Sequence, residues 1–205
     1  MKKLLNAIAF MLTVSNAFSQ GLNVLSSATI PPRLKENAHS IKREEKINFE
    51  VSDIDAAKLT VHQVFTVLDA QGESVLFFYE SSSAFRKLND AEIKVYDANG
   101  KFINKYKLKE IHAEAMGEGL VEDGKYYYFR VAAPSYPITV QYDYEIKYKG
   151  TLNYPAYLIA TPEQSVENSS YTASVPADID LRFKEKNIQL NYFSFLFYLL
   201  CLNHK

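Results

Sequence analysis

A twelve-residue segment in the second half of the chain alternates strictly between two classes of side chain. The apolar or aromatic positions are Ile138, Val140, Tyr142, Tyr144, Ile146 and Tyr148. The polar positions are Thr139, Gln141, Asp143, Glu145, Lys147 and Lys149. An α-helix would scatter both sets around its circumference, whereas a β-strand places them on opposite faces. The pattern predicts a central strand with a buried apolar face, because the same side chains on a surface would form an apolar stripe.

Shorter segments repeat the two-residue period. One apolar set is Ile47, Phe49 and Val51, another is Leu59, Val61, Phe65 and Val67, and a later pair is Tyr171, Ala173, Val175 and Ile179, Leu181, Phe183, separated at Pro176. Turns are indicated at Asn99–Gly100 and Asp123–Gly124, because a tight hairpin needs the positive φ angles that Asn and Gly accept. The chain also has 15 Tyr and 13 Phe, residues that favour pleated sheets.

Short strands separated by turn residues are typical of an antiparallel sandwich or barrel. We predict an all-β fold, an antiparallel β-sandwich, over residues 34–190. Residues 109–122, which include Gly117 and Gly119, indicate either a long loop or a short helix.

The N-terminus has the pattern of an export signal. Met1, Lys2 and Lys3 precede an apolar stretch over residues 4–14, and Ala17 and Ser19 occupy the −3 and −1 positions of a cleavage site. The apolar stretch is shorter than the roughly 20 residues that span a bilayer, which disfavours a transmembrane anchor. We therefore expect a signal peptide over residues 1–19, a linker over 20–33, and an exported protein that is periplasmic or associated with the outer envelope.

Charge and motifs exclude several classes of function. The 23 basic and 24 acidic residues give no electrostatic reason to expect nucleic acid as a partner. The sequence contains no phosphate-binding glycine loop, no Gly-x-Ser-x-Gly elbow, no His-Glu-x-x-His and no paired-cysteine metal spacing. We therefore expect no enzyme activity, no catalytic or metal-binding residues and no cofactor.

One alternative stays open, a free-standing metal or thiol hydrolase. In a strand, Glu110, His112 and Glu114 would share a face and could hold a metal. A thiol enzyme would have to use Cys201, the one cysteine, which lies in an apolar run where burial favours the unreactive thiol.

The tyrosines at 126–128 suggest a binding surface. In a strand, Tyr127 and Phe129 point to one side, while Tyr126 and Tyr128 point to the other. One pair is expected in the core. The other pair, which we take to be Tyr126 and Tyr128, is the candidate contact for an envelope protein, peptide or glycan.

A family resemblance covers about three quarters of the chain, from about residue 34 to 187. Its features are YDANGK at 96–101, DGK at 123–125, YPITVQYDYE at 136–145, then Pro162, Val166, Glu167, SVP at 174–176 and LRFK at 181–184. In their order and spacing these resemble the domain of unknown function that commonly precedes a transglutaminase-like core in exported proteins of Gram-negative bacteria. The resemblance implies a β-sandwich module without catalytic residues of its own.

The last residues differ in composition from the rest. Residues 191–200 are almost wholly Asn, Tyr, Phe, Ser and Leu, which is typical of AT-rich DNA read in an unselected frame. We expect that residues 191–205 are an apolar tail produced by truncation or a frameshift, although they could also pack as a last strand. The expected function is that of a non-catalytic accessory domain, which binds or positions a partner.

Overall fold

The computed structural model describes residues 23–117, 124–150, 155–159, 161–177, 190–195 and 197–204, the last two ranges as backbone only. The strands are β1 Ser40–Asp53, β2 Ala56–Val67, β3 Phe77–Ser82, β4 Arg86–Tyr96, β5 Phe102–Lys107, β6 His112–Ala115, β7 Lys125–Arg130, β8 Ile138–Lys149, β9 Gln164–Val166, β10 Ser169–Pro176, β11 Leu190–Phe195 and β12 Phe197–His204. The helical segments are α1 Pro32–Lys35 and the 3-10 turns Ser27–Thr29, Ala70–Leu76 and Leu108–Glu110. Strands thus dominate the described chain.

These strands form two sheets. The larger has nine strands in the order β11-β12-β10-β1-β2-β8-β4-β5, with β9 also pairing with β1, and the smaller has the order β3-β7-β6. The prediction of an all-β sandwich is confirmed. The pairing is mixed, however, because β1 runs parallel to both β9 and β10.

The predicted central strand is β8, which lies between β2 and β4. Its buried apolar positions are Ile138, Val140, Tyr142 and Ile146, while Tyr144 and Tyr148 are half-buried against the same core. On the opposite face Thr139 is also buried, where its hydroxyl lies 2.8 Å from that of Thr66. The smaller sheet covers this inner face. Phe78 of β3 contacts Tyr142 and Tyr144 with ring centroids 5.7 and 5.6 Å apart. The assignment of the buried face from the alternation is therefore confirmed.

The opposite, outer face of the large sheet is partly covered by the chain's first described residues. Ile30 and Leu34 pack on Ile41 of β1. The backbone N–H of Ser27 donates to the carbonyl of Ala98 at 2.9 Å. Within the predicted linker over residues 20–33, the described part, residues 23–33, thus packs against the sheet.

Several local predictions can be compared with the backbone. The Asn99–Gly100 turn joins β4 to β5, and Gly100 has the expected positive φ of 76°. The segment 109–122 had indicated a loop or a helix, but it contains the end of a 3-10 turn and the strand β6. Residues 118–123 and 179–183, and the predicted signal peptide over 1–19, lie outside the described residues.

The apolar tail contains most of β11 and all of β12. The backbone of β12 pairs antiparallel with β10, from Ser169↔His204 to Pro176↔Phe197. The origin of this tail by truncation or frameshift stays a prediction. Among the described residues, no helix is both long and apolar enough to cross a lipid bilayer.

Candidate partner-binding face

Strand β7 divides its aromatic side chains between two environments. Tyr127 and Phe129 pack against the hydrophobic core, and Phe129 lies 4.4 Å from Tyr106 between ring centroids. Tyr126 and Tyr128 point to the other side of the small sheet, where they meet aromatic residues of the neighbouring strands. The alternation predicted for this segment is therefore present, and the outward pair is the one taken as the candidate contact.

Cross-strand pairing in the small sheet places further aromatic side chains around Tyr126 and Tyr128. Tyr79 of β3 and His112 of β6 both lie opposite Tyr128 of β7. The rings of Tyr79 and Tyr126 stack at 5.5 Å, those of His112 and Tyr128 at 5.5 Å. Phe77 stacks on Tyr79 at 6.4 Å. We call this surface the aromatic face; it consists of Phe77, Tyr79, His112, Tyr126 and Tyr128.

Polar and charged groups border the aromatic face. The guanidinium of Arg130 lies 5.3 Å above the ring of Phe77, a cation–π contact. The hydroxyl of Tyr128 donates to the carboxylate of Glu114, and this hydrogen bond raises the pKa of Tyr128. Partial desolvation of its hydroxyl, together with the neighbouring Tyr126, raises the pKa of Tyr79. Both hydroxyls therefore stay protonated at neutral pH, and the proton of the Tyr128 hydroxyl is already donated to Glu114.

The alternative metal site is not assembled. The carboxylate of Glu110 accepts the backbone N–H of Lys107 at 3.0 Å, Glu114 accepts from Tyr128, and His112 stacks on the same tyrosine. Within the described ranges, no three His, Cys, Asp or Glu side chains come together in a way that could hold a metal ion. Cys201 lies in β12, where only the backbone is described.

A buried polar network on the inner face was not predicted. A bulge at residue 43 of β1 brings Lys42 and Glu45 together, and the ammonium of Lys42 donates to the Glu45 carboxylate at 2.9 Å. The same ammonium donates to the carbonyls of Leu158 and Ile159 at 3.0 and 2.8 Å. The amide of Gln63 donates to the other Glu45 oxygen at 2.7 Å. This inner network ties β1 to β2 and to the segment 155–159.

A second polar cluster lies on the outer face of the same strands. Nδ1 of His62 lies 2.6 Å from the carboxylate of Asp143, and its Nε2 lies 3.4 Å from that of Glu44. The hydrogen bond to Asp143 raises the pKa of His62, although burial opposes the shift. Burial alone would raise the pKa of Asp143, but hydrogen bonds from His62 and Gln141 outweigh it and hold that pKa low. We call these residues the outer cluster.

The sequence alone indicates no hydrogen-bond partner for His39 or His62. The structure pairs Nδ1 of His39 with Asp69 at 2.8 Å, and this hydrogen bond raises the pKa of His39. His62 and Asp143 are 81 residues apart in sequence but opposite each other in the register of β2 and β8. Sequence spacing alone carries no signal for such a pair, since the register of the two strands has to be known first.

Comparison with solved structures supports the fold. A protein from Parabacteroides distasonis ATCC 8503, described as "a putative protease", superposes with a TM-score of 0.63 at 12% identity, over 82% of this chain and 35% of its own. At that identity the likeness shows the fold alone. This chain therefore corresponds to about a third of the length of that protein.

Two further solved structures show weaker similarity. Yeast LTA4 hydrolase gives a TM-score of 0.36 at 7% identity, over 86% of this chain and 31% of that one. An M1 zinc metallopeptidase from Deinococcus radiodurans gives 0.30 at 7% identity, over 82% and 39%. No similarity to a curated protein sequence was found.

The sequence also matches a family model. The model is that of DUF3857, a domain of unknown function with a solved structure, and it matches residues 55–192. That range is 138 of the 205 residues and overlaps most of the segment, about 34–187, that carries the resemblance described above. It includes β2 to β10, and with them the small sheet and its aromatic face. This chain therefore belongs to the DUF3857 family.

Proposed function

We propose that this protein is a non-catalytic accessory module of the cell envelope that binds a folded protein domain through its aromatic face. Within the DUF3857 family, we assign this chain to the domains that accompany a transglutaminase-like core in exported proteins of Gram-negative bacteria. It rests on the sequence resemblance over about residues 34–187 and on the exposed rings and charged rim of the aromatic face.

The observation that carries the proposal is the exposure of aromatic rings on the open side of the small sheet. Tyr79 is 52% exposed and Phe77 is 40% exposed, and they lie side by side with Tyr126 and Tyr128. Exposed aromatic patches with polar rims are typical of protein interfaces, and Tyr and Arg are enriched among the residues that dominate binding energy. Arg130 and Glu114 supply the charged rim.

The comparison with the Parabacteroides protein supports a modular role. A chain of this fold makes up about 35% of that protein, so the fold occurs there as one part of a larger chain. An adjoining or separate domain is therefore a reasonable occupant of the aromatic face. The inner side of the small sheet faces the core, which leaves the outer side as the surface available for docking.

A binding measurement tests the role of the aromatic face. The mature chain would be titrated, by calorimetry, with a transglutaminase-like domain taken from a protein in which it follows a domain of this type. We expect binding that the double variant Tyr79→Ser/Tyr128→Ser weakens at least tenfold, since two interface tyrosines are lost. Phe85→Ser is the matched control, because Phe85 is 70% exposed in the β3–β4 turn and lies outside the aromatic face.

Two results would contradict the proposal. One is binding that is equal in the wild type and the double variant, and the other is the absence of binding to the transglutaminase-like domain. Amide hydrolysis or acyl transfer by the purified chain alone would contradict the non-catalytic part.

The export component has its own test. If residues 1–19 are a signal peptide, protein recovered from the periplasm or envelope of an expressing Gram-negative cell should begin at Gln20. Edman sequencing or intact mass would show this. A mature protein that retains Met1 to Ser19 and stays in the cytoplasm would refute the assignment.

A further inference from the structure

The small sheet has a free edge that borders a cleft. Within the described residues β3 pairs with β7 only. The N–H of Val131 donates to the carbonyl of Leu76 at 3.0 Å, so the backbone of residue 76 faces β7. In an antiparallel pair this orientation alternates, which turns the backbone groups of Phe77, Tyr79 and Ser81 away from β7.

Two contacts agree with that alternation. The carbonyl of Ser81 accepts a hydrogen bond from the guanidinium of Arg86, and the N–H of Phe77 donates to the carbonyl of Ser74. Among the parts of the chain that the structure describes, the carbonyl of Phe77 and both backbone groups of Tyr79 have no strand partner at this edge. These are the groups with which another strand could pair.

A cavity of about 480 Å³ lies along this edge. Phe77, Phe78 and Tyr79 all line it, although their side chains alternate between the two faces of the sheet. Three consecutive strand residues can border one cavity only if it flanks the strand, so the cavity lies beside β3. A second cavity of about 340 Å³ shares Tyr144 and Ala156 with the first and reaches Arg86. We call the two together the cleft.

The cleft has an apolar floor and an irregular second wall. Ile47, Phe65 and Tyr142 of the large sheet form the floor, and Ala156 and Leu158 stand opposite β3. The volume falls within the range of about 300 to 1,000 Å³ that is usual for binding sites. The floor would receive the side chains of every second residue of an extended chain laid against β3.

The charges in the cleft are paired with each other. At one end Lys42 binds Glu45 at 2.9 Å, and at the other Arg86 binds Glu80 at 2.5 Å. These two ion pairs therefore add no net charge to the walls of the cleft. A complementary occupant is uncharged on the side that it turns to the floor.

We propose that the cleft binds an extended peptide segment with uncharged apolar residues at alternate positions, which adds to the free edge of β3 as a fourth strand. Main-chain hydrogen bonds supply affinity in this mode and the alternate side chains supply specificity. The bound strand would widen the small sheet and lengthen its aromatic face. This site adjoins the docking surface proposed above, because Phe77 and Tyr79 border both, but it uses the backbone edge of β3 and the floor of the cleft.

The test uses three synthetic peptides and fluorescence anisotropy. The probe is a labelled, capped heptapeptide with the sequence Lys-Val-Thr-Val-Thr-Val-Lys. Two derivatives carry N-methyl groups, one on the valine nitrogens and one on the threonine nitrogens. A strand pairs through one edge only, so we expect one derivative to lose binding at least tenfold and the other to bind within threefold of the parent.

Protein variants locate the binding. Ala156→Trp fills the cleft from its exposed wall and should weaken binding at least tenfold, while Ala28→Trp, on the outer face of the large sheet, should leave it unchanged. Circular dichroism melts would establish that both variants fold. The variant Tyr126→Ser/Tyr128→Ser changes the aromatic face but no residue that lines the cleft. It should weaken binding of the transglutaminase-like domain and retain peptide binding within threefold, which separates the two proposals.

Several results would overturn the inference. They are equal binding of the two N-methylated peptides, no binding of the parent at millimolar concentration, and unaltered binding to a folded Ala156→Trp variant. A dimer of the chain that the peptide fails to displace would also overturn it, because a second copy would then occupy the edge.

Discussion

The large sheet carries charged residues on both of its faces, and these residues are buried to different extents on the two faces. On the inner face the side chains of Lys42 and Glu45 are only 5% and 2% exposed. On the outer face the side chains of His62, Asp143 and Glu44 are 29%, 35% and 39% exposed. The two groups are separated by the thickness of one sheet. From this difference in burial we expect the two groups of ion pairs to contribute differently to stability.

The bulge at residue 43 creates this division. Between Lys42 and Glu44 the register with β2 shifts by one residue, so Lys42 joins Glu45 on the inner face while Glu44 faces His62 on the outer one. Arg43 turns outward and donates to the carbonyl of Ser26 at 3.0 Å. A regular strand would have placed Lys42 and Glu45 on opposite faces.

The largest effect is expected where a charge on the inner face has no partner. Val140 is fully buried, and Val140→Asp places a carboxylate in the apolar core. We expect a loss of more than about 4 kcal/mol in the free energy of unfolding, measured by urea denaturation. Lys147→Asp, on the exposed face of the same strand, should change it by no more than about 1 kcal/mol. A loss below about 1 kcal/mol for Val140→Asp would mean that the inner face is assigned wrongly.

The next effect comes from breaking the inner network. Lys42→Met leaves the Glu45 carboxylate buried without its cation, and the loss of one partner from a buried pair typically costs about 3 to 5 kcal/mol. The double variant Lys42→Met/Glu45→Leu removes the stranded charge and should recover part of that loss, since Gln63 and Ser169 lose the carboxylate to which they donate. Urea denaturation of both variants provides the measurement. Equal destabilisation of the single and double variants would show that lost packing, and not the buried charge, controls the cost.

The smallest effect belongs to the outer cluster. Because the folded pKa of His62 lies above its unfolded value, its contribution to stability is complete below about pH 6.5 and is lost as pH rises through the folded pKa. Partly exposed pairs contribute about 1 kcal/mol or less. Unfolding free energies between pH 5.5 and 9 should therefore fall slightly with pH, and less so in His62→Gln.

A control separates the two histidines with raised pKa. His39→Gln removes the pairing with Asp69 and should leave the part of the pH dependence that belongs to His62. If His62→Gln retained the full pH dependence of the wild type, the outer cluster would contribute nothing to it.

Alternation made much of the large sheet predictable. The two-residue period of β8 identified its buried face, and Asn99–Gly100 identified the β4–β5 hairpin. The bulge in β1 could not be predicted, because it depends on how β1 pairs with its neighbours. β6 was missed because its four residues are too few to establish a period. The parallel pairing of β1 with β10 was missed because sequence periodicity gives no partner for a strand.

The same limit applies to the aromatic face. Alternation within β7 separated Tyr126 and Tyr128 from Tyr127 and Phe129, and the packing of the latter pair on the core shows which pair points outward. Phe77, Tyr79 and His112 join them only through the register of β3, β7 and β6. The sequence therefore predicted two of the five residues of the aromatic face as contacts, and the cross-strand pairing identifies the other three.

The pairing of β1 with β10 also limits how early the large sheet can form during synthesis of the chain. Lys46 of β1 pairs with Ser170 of β10, so 124 residues of chain must be made after one partner before the other exists. At a synthesis rate of about 5 to 20 residues per second, that interval is roughly 6 to 25 s. A newly made β1–β2 hairpin would wait through it with one edge of β1 unpaired. Association with a holding chaperone, or passage out of the cell before folding, would protect the chain from aggregation during those seconds.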